Sequence, residues 1–195
     1  SHYGTSSVEE LELRDTCLRE EGISELLKLP RALKKFIYSE ESAQISRHIN
    51  PHNFRRSLEC VSTSLELLDV SLTRYKALPN ALALWSFENF ASLRALYINY
   101  RLVYGLDPDS APCIAKSLPK SLEVLAMRRI HESNKWTNES VLKVWQRLLV
   151  QKSPSCLTRL RVIAHLTHYD LLLPLAELGN TRGVRFARKW EEMKL

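Results

Sequence analysis

Residues 157–164 read Leu-Thr-Arg-Leu-Arg-Val-Ile-Ala, and this stretch decides the fold that the sequence predicts. Its apolar residues Leu157, Leu160 and Val162 follow the spacing L-x-x-L-x-L. Because side chains alternate between the two faces of a strand, Leu160 and Val162 point the same way, and Leu157 turns in just ahead of them. Leucine is a common residue, so the prediction depends on whether this spacing recurs.

The spacing recurs along the whole chain when conservative substitutions are allowed. The matches are Val8/Leu11/Leu13, Leu33/Phe36/Tyr38, Leu65/Leu68/Val70, Leu93/Leu96/Ile98, Leu122/Leu125/Met127, Leu157/Leu160/Val162 and Thr181/Val184/Phe186. They start 25, 32, 28, 29, 35 and 24 residues apart, against about 20–29 residues in leucine-rich repeats. The sequence therefore predicts an α/β leucine-rich-repeat solenoid, a horseshoe arc of about six to seven irregular repeats.

Between these strands the apolar residues recur with the period of a helix. Residues 138–151 show this most clearly, with apolar residues at 141, 142, 144, 145, 148 and 149 and Pro154 shortly beyond. Helices are also predicted at 22–29, 51–62, 80–90, 110–118 and 168–178. Helical crossovers join parallel strands, so we expect short parallel strands on the concave face and helices on the convex face.

Length and composition favour a single domain over residues 1–195. The chain is 45% hydrophobic and 26% charged, which is ordinary for a globular protein. No apolar run reaches the length of a membrane-spanning helix, and no signal peptide is visible. The first residues, Ser-His-Tyr-Gly-Thr-Ser-Ser, do not resemble a natural start, so we expect a fragment of a longer protein.

The four cysteines, Cys17, Cys60, Cys113 and Cys156, form no Cys-x-x-Cys pair. No histidine cluster completes a zinc pattern either. Each of them lies in or beside an apolar run, so we expect buried reduced thiols rather than disulfides. This favours an intracellular protein, cytoplasmic or nuclear.

The matched segments resemble the repeat regions of fungal F-box-like and ribonuclease-inhibitor-like proteins. The phrases Ser-Leu-Glu-Leu-Leu-Asp-Val at 64–70 and Ser-Leu-Glu-Val-Leu-Ala-Met at 121–127 carry the resemblance, which covers about residues 6–188. It implies a strand-lined concave surface for protein recognition, which in F-box proteins receives a substrate for ubiquitination. The F-box itself is not recognisable here, so a Skp-type adaptor is expected only through an F-box upstream.

The family often places asparagine or cysteine after each strand, and this chain departs from that pattern. The equivalent positions hold Thr16, Glu41, Thr73, Arg101, Ile130 and His165. The usual asparagine ladder is therefore expected to be absent.

The residues between the inward-facing ones are expected to line the concave face. They are Glu10, Glu12, Arg14, Lys35, Ile37, Ser39, Leu67, Asp69, Ser71, Ala95, Tyr97, Asn99, Val124, Ala126, Arg128, Arg159, Arg161, Ile163, Gly183, Arg185 and Ala187, with Tyr100, Arg129 and Arg188 near the rim. This face is predicted to begin acidic, to become apolar and aromatic, and to end in arginines. The charge follows the same trend, with a balance of −1 over residues 1–97 and +7 over residues 98–195.

The predicted partner-binding site is a basic patch of Arg128, Arg159, Arg161 and Arg185. Arginine binds carboxylates and phosphates in a bidentate manner, so an acidic or phosphorylated segment anchored on Tyr97 and Tyr100 would fit. Alternatively these arginines solvate the sheet or pair with acidic residues. The candidates are Glu123, Glu177, Glu191 and Glu192.

Two other functions stay open at this point. The basic C-terminal half is compatible with nucleic-acid or anionic-lipid binding, and the chain is also compatible with a purely scaffolding role. No catalytic motif or phosphate-binding glycine loop appears, so neither an enzyme nor a cofactor is expected. For His165 and His168, a metal pair is a weaker hypothesis than polar residues in a turn after the strand. For Asn138, glycosylation is a weaker hypothesis than a helix cap.

Overall fold

The structure is a computed structural model of the 195-residue chain. It describes residues 3–16, 18–40, 50–72, 86–104, 117–128, 138–151, 161–164, 177, 179–181 and 184–187. The predicted helices at 110–118 and 168–178 fall almost entirely outside these residues.

A single parallel β-sheet organises the protein. Within the described parts of the chain, seven strands of this sheet lie side by side in chain order. They are β1 (Glu10–Arg14), β2 (Lys35–Glu40), β3 (Leu67–Leu72), β4 (Ala95–Asn99), β5 (Val124–Arg128), β6 (Arg161–Ala164) and β7 (Arg185–Ala187). Every neighbouring pair is parallel. The prediction of an α/β chain with parallel strands is therefore confirmed.

The first five strands align in the register that the sequence spacing predicts. The first aligned row contains Leu11, Phe36, Leu68, Leu96 and Leu125, and the second contains Leu13, Tyr38, Val70, Ile98 and Met127. From β2 to β5 all of these residues are at most 1% exposed. The alternation of the sequence thus builds two continuous apolar rows.

The sixth match is displaced from its predicted register. Leu125 aligns with Val162 rather than with Leu160, and Met127 aligns with Ala164. The strand β6 begins only at Arg161, so the stretch 157–164 is placed two residues further along than predicted. A shift of two residues keeps the same side chains on the same face, so the apolar pattern alone does not distinguish the two registers.

In the connections between the strands, the described residues include four α-helices and one 3-10 helix with given bounds. They are α1 (Glu20–Lys28), α2 (Pro51–Ser57) with the 3-10 helix Leu58–Val61, α3 (Tyr100–Tyr104) and α4 (Asn138–Gln151). The predicted helices at 22–29, 51–62 and 138–151 are confirmed, and Asn50 caps α2 by accepting a hydrogen bond from the His52 N–H at 2.9 Å. The helix α3 was not predicted.

The predicted helix over 80–90 is wrong in the part that the structure describes. Residues 86–90 form a turn, in which the Phe90 N–H donates to the Phe87 carbonyl at 2.9 Å. The guanidinium of Arg55 donates from Nε to the Ser86 carbonyl at 2.8 Å and lies over the rings of Phe87 and Phe90. These interactions with α2 hold the segment as a turn.

The helices pack against one face of the sheet. Ile23 and Leu27 of α1, Phe54 of α2 and Trp145 of α4 belong to the same buried cluster as the two apolar rows. We refer to this as the helix-covered face and to the opposite side as the second face. Burial of this continuous cluster is the main stabilising contribution to the fold.

The Ser-Leu-Glu phrases have a structural explanation. The Ser64 hydroxyl donates to the Leu33 carbonyl at 2.9 Å, and the Ser121 hydroxyl donates to the Leu93 carbonyl at 2.8 Å. The leucine that follows each serine is buried. Each serine therefore links one strand unit to the preceding one.

Candidate interaction surface

The second face of the sheet changes in exposure from β1 to β5. Residues of β1 are exposed, those of β2 and β3 are mostly half-buried, and those of β4 and β5 are buried. The buried group comprises Ala95, Tyr97, Val124 and Ala126, with Leu67 packed against it. The predicted apolar centre of this face is thus present, but its residues are at most 7% exposed.

The two tyrosines predicted as anchors both lie in buried positions. Tyr97 is 7% exposed on the second face. Tyr100 is 1% exposed and lies in the core rather than at the rim. The Trp145 indole N–H donates to the Tyr100 hydroxyl at 2.7 Å. Complete burial raises the pKa of Tyr100, so this phenol stays protonated.

The register brings two of the predicted arginines together and separates a third. Arg161 of β6 and Arg185 of β7 are direct register partners, and Arg161 also aligns with Val124 of β5. Arg128 aligns instead with Asn99, at the other end of β5. It is therefore four residues along the sheet, roughly 13 Å, from the Arg161 row. Arg159 lies outside the described residues.

A row of alternating charges precedes the strands, and the apolar spacing of the sequence does not predict it. Its members are Glu9, Lys34, Glu66, Arg94 and Glu123, each one residue before its strand in the common register. We call this row the charge ladder. Lys34 Nζ lies 2.9 Å from a Glu9 carboxylate oxygen, and Arg94 makes a bidentate pair with Glu123 at 2.9 and 3.0 Å.

The backbone of the charge ladder is as regular as its charges. The carbonyl of Glu66 accepts hydrogen bonds from both the Arg94 and Ala95 N–H groups, at 2.8 and 3.0 Å. The carbonyls of Glu9, Lys34 and Arg94 bind the next strand in the same way. The residues that immediately precede the aligned strands alternate in sign, and that alternation is the sequence signal that could have revealed the row. Glu123 therefore pairs with Arg94 here.

Polar groups meet where β1 and β2 end. Glu40 is only 2% exposed, and burial together with the nearby charge of Asp15 raises the pKa of its carboxyl to about 7. Burial and the charge of Glu40 raise the pKa of the Tyr38 phenol to about 12, against an opposing hydrogen-bond effect of Thr16. Asp15 adopts a left-handed conformation with φ of 47°, which aspartate tolerates better than most residues. These features indicate a buried acid that titrates near neutral pH.

The side chain of an asparagine satisfies a backbone N–H next to these groups. The Asn99 Oδ1 accepts a hydrogen bond from the Leu72 N–H at 2.8 Å in a buried environment. Asn99 was predicted to face the concave surface, but it is 3% exposed. Thus one asparagine link between strands exists, two residues earlier than the expected ladder position.

A polar groove of about 460 Å³ lies between α1 and the α2 region. Two of its three acidic lining residues, Glu20 and Glu25, are engaged in hydrogen bonds. Glu20 accepts from Asn53 at 2.9 Å, and Glu25 accepts from Lys28 at 2.7 Å and from Tyr3 at 3.0 Å. These contacts lower the pKa of Glu25. Hydrogen bonds among neighbouring side chains therefore hold the wall of the groove in place.

Of the cysteines, histidines and glutamates considered from the sequence, the structure describes some and leaves others outside the described residues. Cys60 is a free thiol, but it is exposed rather than buried, and its Sγ–H donates to the Ser57 carbonyl at 3.0 Å. Cys17, Cys113, Cys156, His165, His168, Glu191 and Glu192 lie outside the described residues. Within the described part of the chain, no group of three or more His, Cys, Asp or Glu residues could hold a metal ion.

No helix among the described residues is both long enough and apolar enough to span a membrane. Compared with protein-family models, with curated proteins and with solved structures, the chain matches none of them.

Proposed function

We propose that this protein is a leucine-rich-repeat solenoid that acts as a non-catalytic protein-recognition module. Its support is the agreement between the L-x-x-L-x-L spacing and the register of β1 to β5. Each strand unit leaves apolar surface that only the next unit covers, which is the physical basis of repeat stacking. The serine links and the charge ladder join successive units in the same way.

The proposed partner is an acidic or phosphorylated segment that binds at β6 and β7 on the second face. The observation that carries this proposal is the direct pairing of Arg161 with Arg185 in the register. Neighbouring strands lie about 4.8 Å apart, so two guanidinium groups at partner positions can reach one carboxylate or phosphate.

The burial of Tyr97 and Tyr100 leaves these two predicted anchors with little surface for contact with a partner. Tyr100 is part of the core and is left out of the proposed site, and Tyr97 offers little accessible surface. Affinity would therefore come from charge-assisted hydrogen bonds to the arginines rather than from aromatic anchors. Such binding weakens as salt increases, because exposed charges are screened.

The resemblance to F-box proteins suggests a specific setting for this recognition. In that setting the protein would be the substrate-recognition part of an F-box-type ubiquitin ligase. A Skp-type adaptor would then bind an F-box outside this sequence.

The test is a binding experiment on an array of acidic peptides in phosphorylated and unphosphorylated form. The variant Arg161→Glu/Arg185→Glu should lose binding to the peptides that the wild-type protein retains. The matched control is Arg31→Glu/Lys120→Glu, which makes the same change in net charge at two exposed positions far from β6 and β7 in the sequence. Equal binding by the two variants would reject the arginine site.

The net charge of residues 98–195 supports a second candidate function, the binding of nucleic acid or of an anionic lipid surface. In that case the two double variants would weaken binding equally, because the interaction depends on total charge. For nucleic acid, affinity would also fall steeply with salt for any sequence. The same variants, titrated with a single-stranded oligonucleotide and with anionic vesicles, distinguish this function from recognition at Arg161 and Arg185.

A further inference from the structure

Two polar stripes border the groove between α1 and the α2 region. Their members recur at intervals of three or four residues, which places them along one side of each helix. They are Glu20, Ser24 and Lys28 on α1, and Asn53, Ser57 and Cys60 on α2 and the 3-10 helix that continues it. The apolar residues of the same helices lie in the core, and they include Ile23, Leu27, Phe54 and Leu58. Apolar side chains therefore join the two units inside, and polar ones line the groove at the surface.

Contacts between the helices hold the groove near both of its ends. The side-chain N–H of Asn53 donates to the Glu20 carboxylate at 2.9 Å, and Cys60 Sγ lies 3.5 Å from a backbone carbonyl of α1. Ser24 and Ser57 follow Glu20 and Asn53 by one helical turn, and their side chains are small. The middle of the groove therefore stays open, and its volume of about 460 Å³ is within the range of about 300–1,000 Å³ typical of ligand sites.

Two charged side chains of opposite sign line the groove without a partner. Glu21 of α1 and Arg56 of α2 are both exposed, and neither makes a hydrogen bond or an ion pair with another described residue. The same is true of the Ser24 hydroxyl. Lys28, by contrast, is paired with Glu25 at 2.7 Å. The groove thus offers a ligand one anionic contact, one cationic contact and a hydroxyl group.

We propose that this groove binds a small zwitterion of the size of a short peptide. The ammonium group of the ligand pairs with Glu21, and its carboxylate accepts two hydrogen bonds from the guanidinium of Arg56. The Ser24 hydroxyl binds the polar groups between them. The axes of packed helices lie about 8–10 Å apart, and three residues of extended chain span up to about 10 Å. A tripeptide can therefore reach from one helix to the other.

Ligands with only one sign of charge fit this groove less well. A polyanion would meet Arg56 but would also face Glu20, Glu21 and Glu25 on α1. A polycation would leave the charge of Arg56 without a counterion. Because hydrogen bonds already hold the wall of the groove, little ordering of side chains is needed on binding. The site lies on the helix-covered side and is separate from the proposed site on β6 and β7.

The probe for the test is triglycine, which carries one ammonium group, one carboxylate and no side chain. N-acetyl-triglycine lacks the ammonium group, and triglycine amide lacks the carboxylate. In NMR titrations of the 195-residue protein, triglycine should shift the backbone amide signals of Ser24 and Ser57. Half-saturation should need about fivefold less triglycine than either capped peptide, which corresponds to the loss of one exposed ion pair. Equal half-saturation concentrations for the three peptides would overturn the proposal, and so would unshifted signals of these two amides.

Two variants assign the ends of the peptide to their partners. Glu21→Gln should bind triglycine and N-acetyl-triglycine equally and still discriminate against the amide, whereas Arg56→Gln should show the reverse preference. Both residues are exposed, so both variants should fold. The matched controls Glu88→Gln and Lys120→Gln make the same charge changes at exposed positions outside the groove and should behave like the wild type. If Glu21→Gln and Arg56→Gln weaken all three peptides alike, recognition of a zwitterion is rejected.

Substitutions of Ser24 test whether the peptide lies inside the groove. Ser24→Leu fills the middle of the groove and should abolish the binding of triglycine. Ser24→Ala leaves the space open and removes only a neutral hydrogen bond, so binding should weaken about fivefold or less. Leucine and alanine are both better helix formers than serine, so neither variant should disturb α1. Equal binding of triglycine by the two variants would place the peptide outside the groove and overturn the proposal.

Discussion

The indole N–H of Trp145, in α4, donates a hydrogen bond of 2.7 Å to the hydroxyl of Tyr100, the first residue of α3. The two rings meet edge to face, with centroids 6.3 Å apart and planes at 80°. Both side chains are at most 1% exposed. This single contact ties the two helices together inside the core and satisfies two buried polar groups at once.

Tyr100→Phe should destabilise the protein by about 1–3 kcal/mol, because it leaves the Trp145 N–H buried without its acceptor. Urea denaturation provides the measurement. Trp145→Phe and the double variant complete a thermodynamic cycle, in which the double variant should lose less stability than the two single variants combined. Strict additivity would show that the hydrogen bond contributes nothing. Folded Tyr100→Phe should still bind the acidic peptides as the wild-type protein does.

Glu40 should make the free energy of unfolding depend on pH between 4.5 and about 7. Its pKa is about 7 in the folded protein, against 4.5 for an ordinary glutamate. Between these values the folded state holds a proton that the unfolded state has released, so stability falls as pH rises through this window. The loss should reach on the order of 3 kcal/mol by pH 8.

Glu40→Gln removes this titration, so its unfolding free energy should be nearly flat over the same window and exceed that of the wild type at pH 8. Asp15→Asn is the matched control, because asparagine also tolerates the left-handed backbone. It should move the pH dependence to lower pH without abolishing it. Identical pH profiles for wild type and Glu40→Gln would contradict the assignment.

The sequence pattern predicts the register of β1 to β5 because two independent constraints agree there. The alternation fixes which face a residue occupies, and the leucine three residues ahead fixes its position along the strand. Leu33, Leu65, Leu93 and Leu122 are all buried as this pattern requires. At β6 the leucine three residues ahead does not fix the position along the strand, and Leu160 and Val162 both fit the alternation. The observed register is therefore displaced by two residues from the predicted one.

The errors at the candidate site have a different cause. Tyr100 follows Ile98 by two residues, so the alternation itself places it on the helix-covered side rather than at the rim. The helix α3 begins there directly after β4, and its five residues, Tyr100–Tyr104, are too few for a helical period of apolar residues to show in the sequence. The burial of Tyr97 and Val124 depends on tertiary packing, which local periodicity does not encode.

Asn99→Ala should destabilise the protein by about 1–3 kcal/mol, because the buried Leu72 N–H loses its acceptor. The amide of Leu72 should then exchange its hydrogen faster than in the wild-type protein. Ser71→Ala, at the preceding position of β3, serves as the control and should change stability by about 0.5 kcal/mol or less. If Leu72 exchange is unaltered in Asn99→Ala, the side-chain link between β3 and β4 makes no contribution.

The charge ladder predicts that reversing a central member costs more stability than reversing a terminal one. Arg94→Glu places a third acid between Glu66 and Glu123, whereas Glu123→Arg creates only one like-charged pair with Arg94. The hydrogen bond and the charge of the paired Glu123 raise the pKa of Arg94 most, and the charge of Glu66 raises it further. Thermal unfolding should therefore show a lower midpoint for Arg94→Glu than for Glu123→Arg.

The double variant Arg94→Glu/Glu123→Arg separates a ladder from an isolated ion pair. An isolated pair would be restored completely by the exchange, but in a ladder the introduced glutamate still faces Glu66, so recovery should be partial. Raising the salt from about 0.02 M to about 1 M shortens the Debye length from about 20 Å to about 3 Å, and the differences among the variants should shrink accordingly. Complete recovery at low salt would show that Glu66 is not coupled to its neighbours and that the charges act in separate pairs.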